Sequence, residues 1–570
     1  MYPAEKSTAE IFASFFSPKN PQSILQKLYS KLQEGSICME VNKKELKEIE
    51  PVFLGTPINL NKPFIVENDK LYIQRYYKYE TQIIDSIKQL LANELEHKEE
   101  RESFVRKKIS SIKTDETNYL QVTACAQAFC NNFNIISGGP GTGKTTTLTR
   151  LLSWIIESNP DARIMLAAPT GKAAARIAES IKEKANEFSE EIKNKLESIV
   201  PTTIHRMLGY IPNSLYFRHN EKNKLPVDVI VADESSMIDA ALFAKMIAAV
   251  PPQARLILLG DRAQLSAVEA GSIFTDLCRS AAPEQMYSAT FAKKFGKEIP
   301  ALKNDVATKP GVLLTDHISE LKYSHRFAQG KGISTLSNAV LNNDQELLRL
   351  MIAGNDPQLQ FDTEYDDRFF NEFIRGFLAY TKAETIAKAF EDFNRLRILC
   401  AVKEGTNGVH LTNKAVEQFL YRKGAIKADN IFYHLRPVML TKNYNSLGIF
   451  NGEIGIAWHN EDGSLKVYFP SETPGQYREV LPGFILDAET AFAITIHKSQ
   501  GSEYDNVLLR LATNVNSAIT SRELLYTGIT RAKHKVFIQG SEEVILQAAS
   551  HTVDKASGII ERLNYHAPWQ

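Results

Sequence analysis

Eight residues constrain this chain more than any others: Gly138-Gly139-Pro140-Gly141-Thr142-Gly143-Lys144-Thr145. They satisfy the GxxxxGK[ST] pattern, follow an apolar run (Asn134-Ile135-Ile136-Ser137) and open a helical stretch from Thr146 to Glu157. Strand, glycine-rich loop and helix in that order make a P-loop. The glycines let successive backbone N–H groups curl around a phosphate with no Cβ in the way. Lys144 then reaches the β- and γ-phosphates, and the Thr145 hydroxyl is placed to ligate Mg²⁺. The nucleotide-binding candidates are therefore Gly138, Gly139, Pro140, Gly141, Thr142, Gly143, Lys144, Thr145 and Thr146. A glycine-rich turn that binds nothing is the competing reading, and the complete pattern in its strand–helix setting argues against it.

A P-loop that hydrolyses its nucleotide needs a carboxylate on a neighbouring strand to hold the metal. The run Val227-Asp228-Val229-Ile230-Val231-Ala232 ends in Asp233-Glu234. Asp233 sits where a metal ligand belongs, and Glu234 is placed to orient or deprotonate the attacking water. Alone, such a pair often caps the following helix. Beside a complete P-loop it reads as catalytic. A third apolar run ends in Leu258-Leu259-Gly260-Asp261-Arg262-Ala263-Gln264, and a Gln at a strand end can sense the γ-phosphate.

The surroundings agree. From about 115 to 280, short apolar runs alternate with helical stretches, which predicts βαβ units, a parallel sheet, and function at the strand C-termini. Residues 330–400 read as mainly helical, 436–482 as short strands with turns at Asn451-Gly452 and Asp462-Gly463, and 488–545 as strand–helix alternation again. Upstream, Ile83, Ile84, Ile87 and Leu91 share one helical face, and the charged run 94–106 reads as a solvated helix or a linker.

At 570 residues the chain is too long for one core, and 43% hydrophobic with 24% charged residues excludes a wholly disordered chain. Lys plus Arg balance Asp plus Glu at 67 each. That excludes a histone-like polycation but not nucleic-acid binding, which needs only a local groove. No apolar stretch approaches the roughly 18 residues of a membrane helix. The start, MYPAEKSTAEIFASFF, lacks a signal-peptide pattern, and five scattered cysteines with no CxxC pair read as reduced core thiols of a cytoplasmic protein.

Further motifs then fall in a recognisable order: Gln121, APTGKAAARI at 168–177, TIHRMLG at 203–209, VADESSMID at 231–239, LGDRAQLSAVEAGSIFTDL at 259–277 and YSHRF at 323–327. After them come LCAVKEGTNGVHLTN at 399–413, RPVML at 436–440, SLGIFNGEIGIA at 446–457, AFAITIHKSQGSEYD at 491–505 and LLYTGITRAK at 524–533. This set resembles superfamily-one helicases that move 5′ to 3′, and most closely the RecD family, the alpha subunits of exodeoxyribonuclease V (the RecBCD complex). DKLYIQRYYKYE at 69–80 extends the resemblance into the N-terminal region.

The resemblance implies an α/β fold of two RecA-like P-loop motor lobes with parallel sheets, a mostly helical N-terminal domain and a small SH3-like β insertion. On this chain that gives a partner-docking domain at 1–105, a first lobe at 106–325 and a second lobe at 326–570. A short hairpin near 209–226, polar at its tip, interrupts the first lobe, and the β insertion occupies about 436–490 of the second. It implies an adenine-reading role for Gln121, further nucleotide contacts from Gly501 and Glu503, and two γ-phosphate arginines, Arg326 and Arg531. Guanidinium suits that task, being always charged and forked. DNA contacts would come from Thr170, Lys172, Thr203, His205, Asn445, Asn451, Thr495, His497 and Lys498, as hydroxyls, amides and basic groups that grip phosphate without reading sequence.

ATP and Mg²⁺ are the implied cofactors. Single-stranded DNA, duplex ends and RecB- and RecC-like subunits of a heterotrimer are the implied partners. The nuclease centre is expected on another subunit, since no cluster of carboxylates plus Lys stands outside the ATP site. A free-standing 5′→3′ helicase and a P-loop switch or scaffold are the alternatives. A scaffold has no use for Glu234, Arg326 and Arg531 together.

Overall fold

The structure, a computed structural model, describes residues 7–16, 23–212, 214–280, 287–306, 312–325, 332–471, 475–513 and 520–565. The chain divides into two compact units. Met1–Arg262, Ser266–Tyr323 and Asp554–Gln570 form the first, and Ala263–Leu265 with Ser324–Val553 form the second.

The first unit begins with a small sheet of β1 (Cys38–Glu40), β2 (Leu54–Gly55), β3 (Phe64–Glu67) and β4 (Lys70–Ile73), in the order β1-β4-β3-β2. Asn68 and Asp69 both take positive φ (49° and 57°). Such a two-residue turn matches the twist of an antiparallel pair, and it joins β3 to β4. Helices Thr8–Phe16 and Ile24–Gln33 supply Ala13, Leu25 and Leu28 to a core with Phe64 and Leu71. This sheet adds to the mostly helical region that the sequence suggests; its strands are too short to show a period.

Helix Gln74–Ala92 carries the predicted apolar face. Ile83, Ile84, Ile87 and Leu90 are buried together with Phe243 and Ile247 of helix Ala240–Ala249, each worth roughly 1.5–3 kcal/mol of burial. The N-terminal region therefore shares its core with the P-loop sheet. The charged run that follows is more than a solvated face. In helix Lys98–Ser110, Glu102 is buried and pairs with Lys294 at 2.6 Å. Upstream of that helix, Glu94 accepts the N–H of Asn132 at 2.8 Å and faces His317 Nε2 at 3.1 Å. Both ring nitrogens of His317 face acceptors, the other being Thr315 O at 2.9 Å; burial disfavours the cation, but the Glu94 carboxylate outweighs it and raises the pKa of the ring.

The predicted apolar runs form a six-stranded sheet that is parallel throughout: β5 (Phe133–Gly138), β6 (Ile164–Ala168), β7 (Thr202–Thr203), β8 (Val229–Ala232), β9 (Arg255–Gly260) and β10 (Ile318–Leu321). The order is β10-β5-β9-β8-β6-β7. Helix Ile559–Tyr565 returns from the end of the chain to this unit and is clamped there. Arg562 lies 2.8 Å from Glu67 and 2.9 Å from the fully buried Glu80, donates to Thr81 Oγ1 at 2.7 Å, and stands over the Tyr77 ring.

The second unit has a parallel sheet of β11 (Leu359–Asp362), β12 (Leu396–Cys400), β18 (Ala493–Thr495), β19 (Tyr504–Arg510) and β20 (Ala532–Gln539), ordered β11-β20-β19-β12-β18. Between β12 and β18 the chain builds the expected β insertion. It comprises β13 (Pro437–Leu440), β14 (Ile454–His459), β15 (Leu465–Pro470), β16 (Tyr477–Val480) and β17 (Ala488–Thr490), antiparallel in the order β16-β15-β14-β13-β17. Among the described residues no helix is long and apolar enough to cross a membrane. All five cysteines are buried free thiols, and burial pushes Cys125 up to about 12, which makes it inert.

Candidate functional site

A parallel sheet delivers its loops to one edge, and the first unit's candidates gather there. The P-loop leaves β5 and feeds helix Lys144–Ser158. Gly141 and Gly143 adopt φ of 78° and 86°, the left-handed region that glycine enters without strain. A Cβ on Gly143 would lie 2.3 Å from Gln121 Nε2. The glycine thus makes room for Gln121, whose amide donates to Thr142 O at 3.1 Å. The sequence places Gln121 by resemblance; the structure sets it directly behind the loop. Lys144 Nζ donates to Gly138 O at 2.5 Å and Gly139 O at 3.1 Å. Thr145 and Thr146 are part-exposed in the first turn of the helix. Glycines that leave room, an N-terminal helix turn and a lysine together fit a nucleotide's phosphates.

Asp233 and Glu234 follow β8. That strand is not beside the P-loop strand, as the sequence reading has it, because β9 lies between β5 and β8. The interposed strand brings Asp261, buried, to the same edge. Asp233 Oδ1 accepts the Glu234 N–H at 2.8 Å. Burial pushes the Asp233 carboxyl up to about 6, the Glu234 charge adds to the rise, and Lys144 opposes it. Glu234 has φ 50°, strained for a side chain of its size. A strained acid beside a carboxylate that resists ionisation fits what a metal-and-water site would need.

The second unit assembles another group. Its Ala263–Leu265 segment brings in Gln264, which the sequence reading assigns to the end of the third strand of the first lobe. Arg531, buried, donates from Nη2 to Gln264 Oε1 at 2.8 Å, from Nη1 to Ser502 O at 3.2 Å and from Nε to Thr527 O at 3.1 Å. The Gly501–Glu503 turn is therefore tied to Arg531 and Gln264, with Gly501 at φ 70°. Gln500 Nε2 donates to Leu265 O at 2.7 Å, and Thr527 Oγ1 accepts the Leu265 N–H at 2.9 Å. Gln500 and Thr527 are absent from the predicted set, although both lie within the quoted motifs HKSQG and LLYTGITRAK. Arg326 lies outside the described residues.

The nucleic-acid candidates divide between the units. Thr170 and Thr203 cap helices, accepting the N–H of Ala173 at 3.2 Å and Arg206 at 3.3 Å. Lys172 is exposed in the helix that Thr170 opens. Each threonine hydroxyl keeps its own proton to donate. The His205 ring meets the Phe217 ring at 5.6 Å, and burial lowers its pKa. Phe217 belongs to the 209–226 segment, whose described residues pair through a bridge from Tyr210 to Phe217, with Arg218 N–H donating to Gly209 O at 3.0 Å and His219 N–H to Leu208 O at 2.9 Å. Its tip exposes Leu215 (70%) and Tyr216 (78%), so it is less polar than the sequence reading has it. In the second unit Thr495 caps the turn that holds His497 and Lys498, and Lys498 Nζ donates to Asn451 Oδ1 at 2.7 Å. Asn445 opens a short turn, and its side chain lies outside the described residues.

Two family models match the chain: an AAA domain at residues 121–270 and a UvrD-like helicase C-terminal domain at residues 490–539. P-loop, paired carboxylates and a second parallel-sheet unit matched by a helicase model place the chain in the helicase class of P-loop ATPases. The RecBCD enzyme subunit RecD of Mycolicibacterium smegmatis is 32% identical over 93% of this chain and 91% of its own length. That of Haemophilus influenzae is 32% identical over 90% and 83%. The ATP-dependent RecD2 DNA helicase of Deinococcus radiodurans is 28% identical over 76% of this chain and 50% of its own. The chain belongs to the RecD family.

Proposed function

We propose that this chain is the 5′→3′ DNA motor of a RecBCD-type helicase–nuclease. In this reading single-stranded DNA stimulates its ATPase, and RecB- and RecC-like chains complete a cytoplasmic heterotrimer that works at duplex ends in break repair. Glu234 carries the reading. Its strained backbone holds an acid beside Asp233 at the P-loop edge, as hydrolysis needs and a nucleotide-gated scaffold does not. Gln121 and the P-loop from Gly138 to Thr146 hold the nucleotide, with Gly501 and Glu503 as further contacts. Lys144 serves the phosphates, Thr145 and Asp233 hold Mg²⁺, Glu234 orients water, and Gln264, Arg326 and Arg531 serve the γ-phosphate. Bound Mg²⁺ supplies neutralisation of phosphate charge. Thr170, Lys172, Thr203, His205, Asn445, Asn451, Thr495, His497 and Lys498 grip the strand through its backbone.

The test is ATP turnover by the purified chain with and without oligo(dT). Stimulation that disappears in Lys144→Ala supports the motor; turnover indifferent to DNA, or surviving Lys144→Ala, overturns it. DNA cleavage by pure chain that persists in Lys144→Ala would show that this subunit also cuts.

A further inference from the structure

The second unit carries a charged constellation of which these roles use only Lys498. Lys403 follows β12, and its Nζ donates to Glu489 Oε1 at 2.7 Å. Glu489 is the middle residue of β17 and is fixed by its pairing with Met439 of β13. His410 Nε2 stands 4.0 Å from the same carboxylate oxygen and 3.6 Å from Glu404 Oε1. Lys498, although hydrogen-bonded to Asn451, lies within electrostatic reach of both Glu489 and Lys403. Alongside, Lys442 pairs with Asp487 at 3.1 Å.

The sheet explains the convergence. β12 and β18 run parallel with Cys400 opposite Thr495, so the segments bearing Lys403 and Lys498 leave the sheet at one edge. The β insertion brings Glu489 to that edge. One carboxylate, its side chain 26% exposed, thus faces two lysines and a histidine that are otherwise open to solvent on one side. Carboxylate and phosphate oxygens are interchangeable acceptors for an ammonium. A part-exposed pair of this kind is worth little by itself, so an incoming phosphate can displace it at small cost.

We propose that Lys403, His410 and Lys498 form a phosphate station for the backbone of a single strand, and that Glu489 is its built-in competitor. This station rests on the motor reading and gives an acid a function beside a phosphate-binding cluster. Glu489 takes back the lysine each time a phosphate leaves, which keeps the grip weak enough for the strand to advance.

The experiment measures binding of labelled oligo(dT) to the full chain across a salt series, for the unmodified protein, Glu489→Gln, Lys403→Ala and the double variant. Glu489→Gln tightens binding about two- to fivefold at low salt. It also steepens the log–log salt dependence by about 0.7, because one more cation engages a phosphate. Lys403→Ala weakens binding and flattens the slope, Lys403→Arg retains both, and the Glu489→Gln effect shrinks in the Lys403→Ala background. An unchanged affinity and slope in Glu489→Gln, or an effect of full size without Lys403, overturns the proposal. Failure of the unmodified chain to bind oligo(dT) at all would instead overturn the motor reading.

Discussion

Replacing Asp233 with Asn should stabilise the nucleotide-free protein, by an amount that grows from about pH 4 and is complete above about pH 6. In the folded chain the Asp233 carboxyl titrates near 6 against an ordinary value of 3.8, because burial and the Glu234 charge disfavour the anion more than Lys144 favours it. The stability tied to this group is fully present below pH 3.8 and lost as the pH rises through about 6. The rise from 3.8 to about 6 corresponds to at most about 3 kcal/mol at pH 8. Asn cannot ionise, yet keeps the Oδ1 that accepts the Glu234 N–H at 2.8 Å. Asp233→Asn should therefore melt several degrees above the unmodified chain at pH 8 and together with it at pH 4. Added Mg²⁺ should raise only the chain that retains Asp233. Melting curves between pH 4 and 8 decide it. A variant less stable at pH 8, or a gap independent of pH, would show that ionisation of the buried Asp233 does not limit stability.

Arg531→Lys should lower kcat for ATP by about a thousandfold or more while moving KM less. A lysine keeps the charge but cannot reproduce the fork that engages Gln264, Ser502 and Thr527 together; steady-state kinetics separate the two constants. Arg562→Met should cost about 3–5 kcal/mol by leaving the buried Glu80 without its cationic partner, read as a lowered melting temperature and faster proteolysis of the C-terminal helix. Affinity capture of the tagged chain from its own cell should bring down two larger RecB- and RecC-like chains; their absence favours a free-standing helicase.

The parts legible in the sequence are those whose signal is local. The P-loop, the acids at the end of β8, the two parallel sheets and the β insertion each announce themselves within about fifteen residues, by strand-length apolar runs, glycine spacing and turn dipeptides. What escaped depends on partners far along the chain. Arg562 meets Glu80 across 482 residues, and Gln264 meets Arg531 across 267, so no pattern near either end reveals the pair. Glu94 and Glu102 read as solvated because their neighbours are charged, and the partners that explain their burial, Asn132 and His317 for the first and Lys294 for the second, lie far along the chain. Strand order is similarly silent: three apolar runs predict three strands, but not that β9 separates β5 from β8.

Directional unwinding distinguishes a 5′→3′ motor from one of the opposite polarity. Two duplexes of identical sequence, one with a 5′ single-stranded tail and one with a 3′ tail, are offered to the purified chain with ATP and Mg²⁺. The 5′-tailed duplex should be separated and the 3′-tailed one should not, with Lys144→Ala inactive on both. Separation of the 3′-tailed duplex alone would contradict 5′→3′ movement.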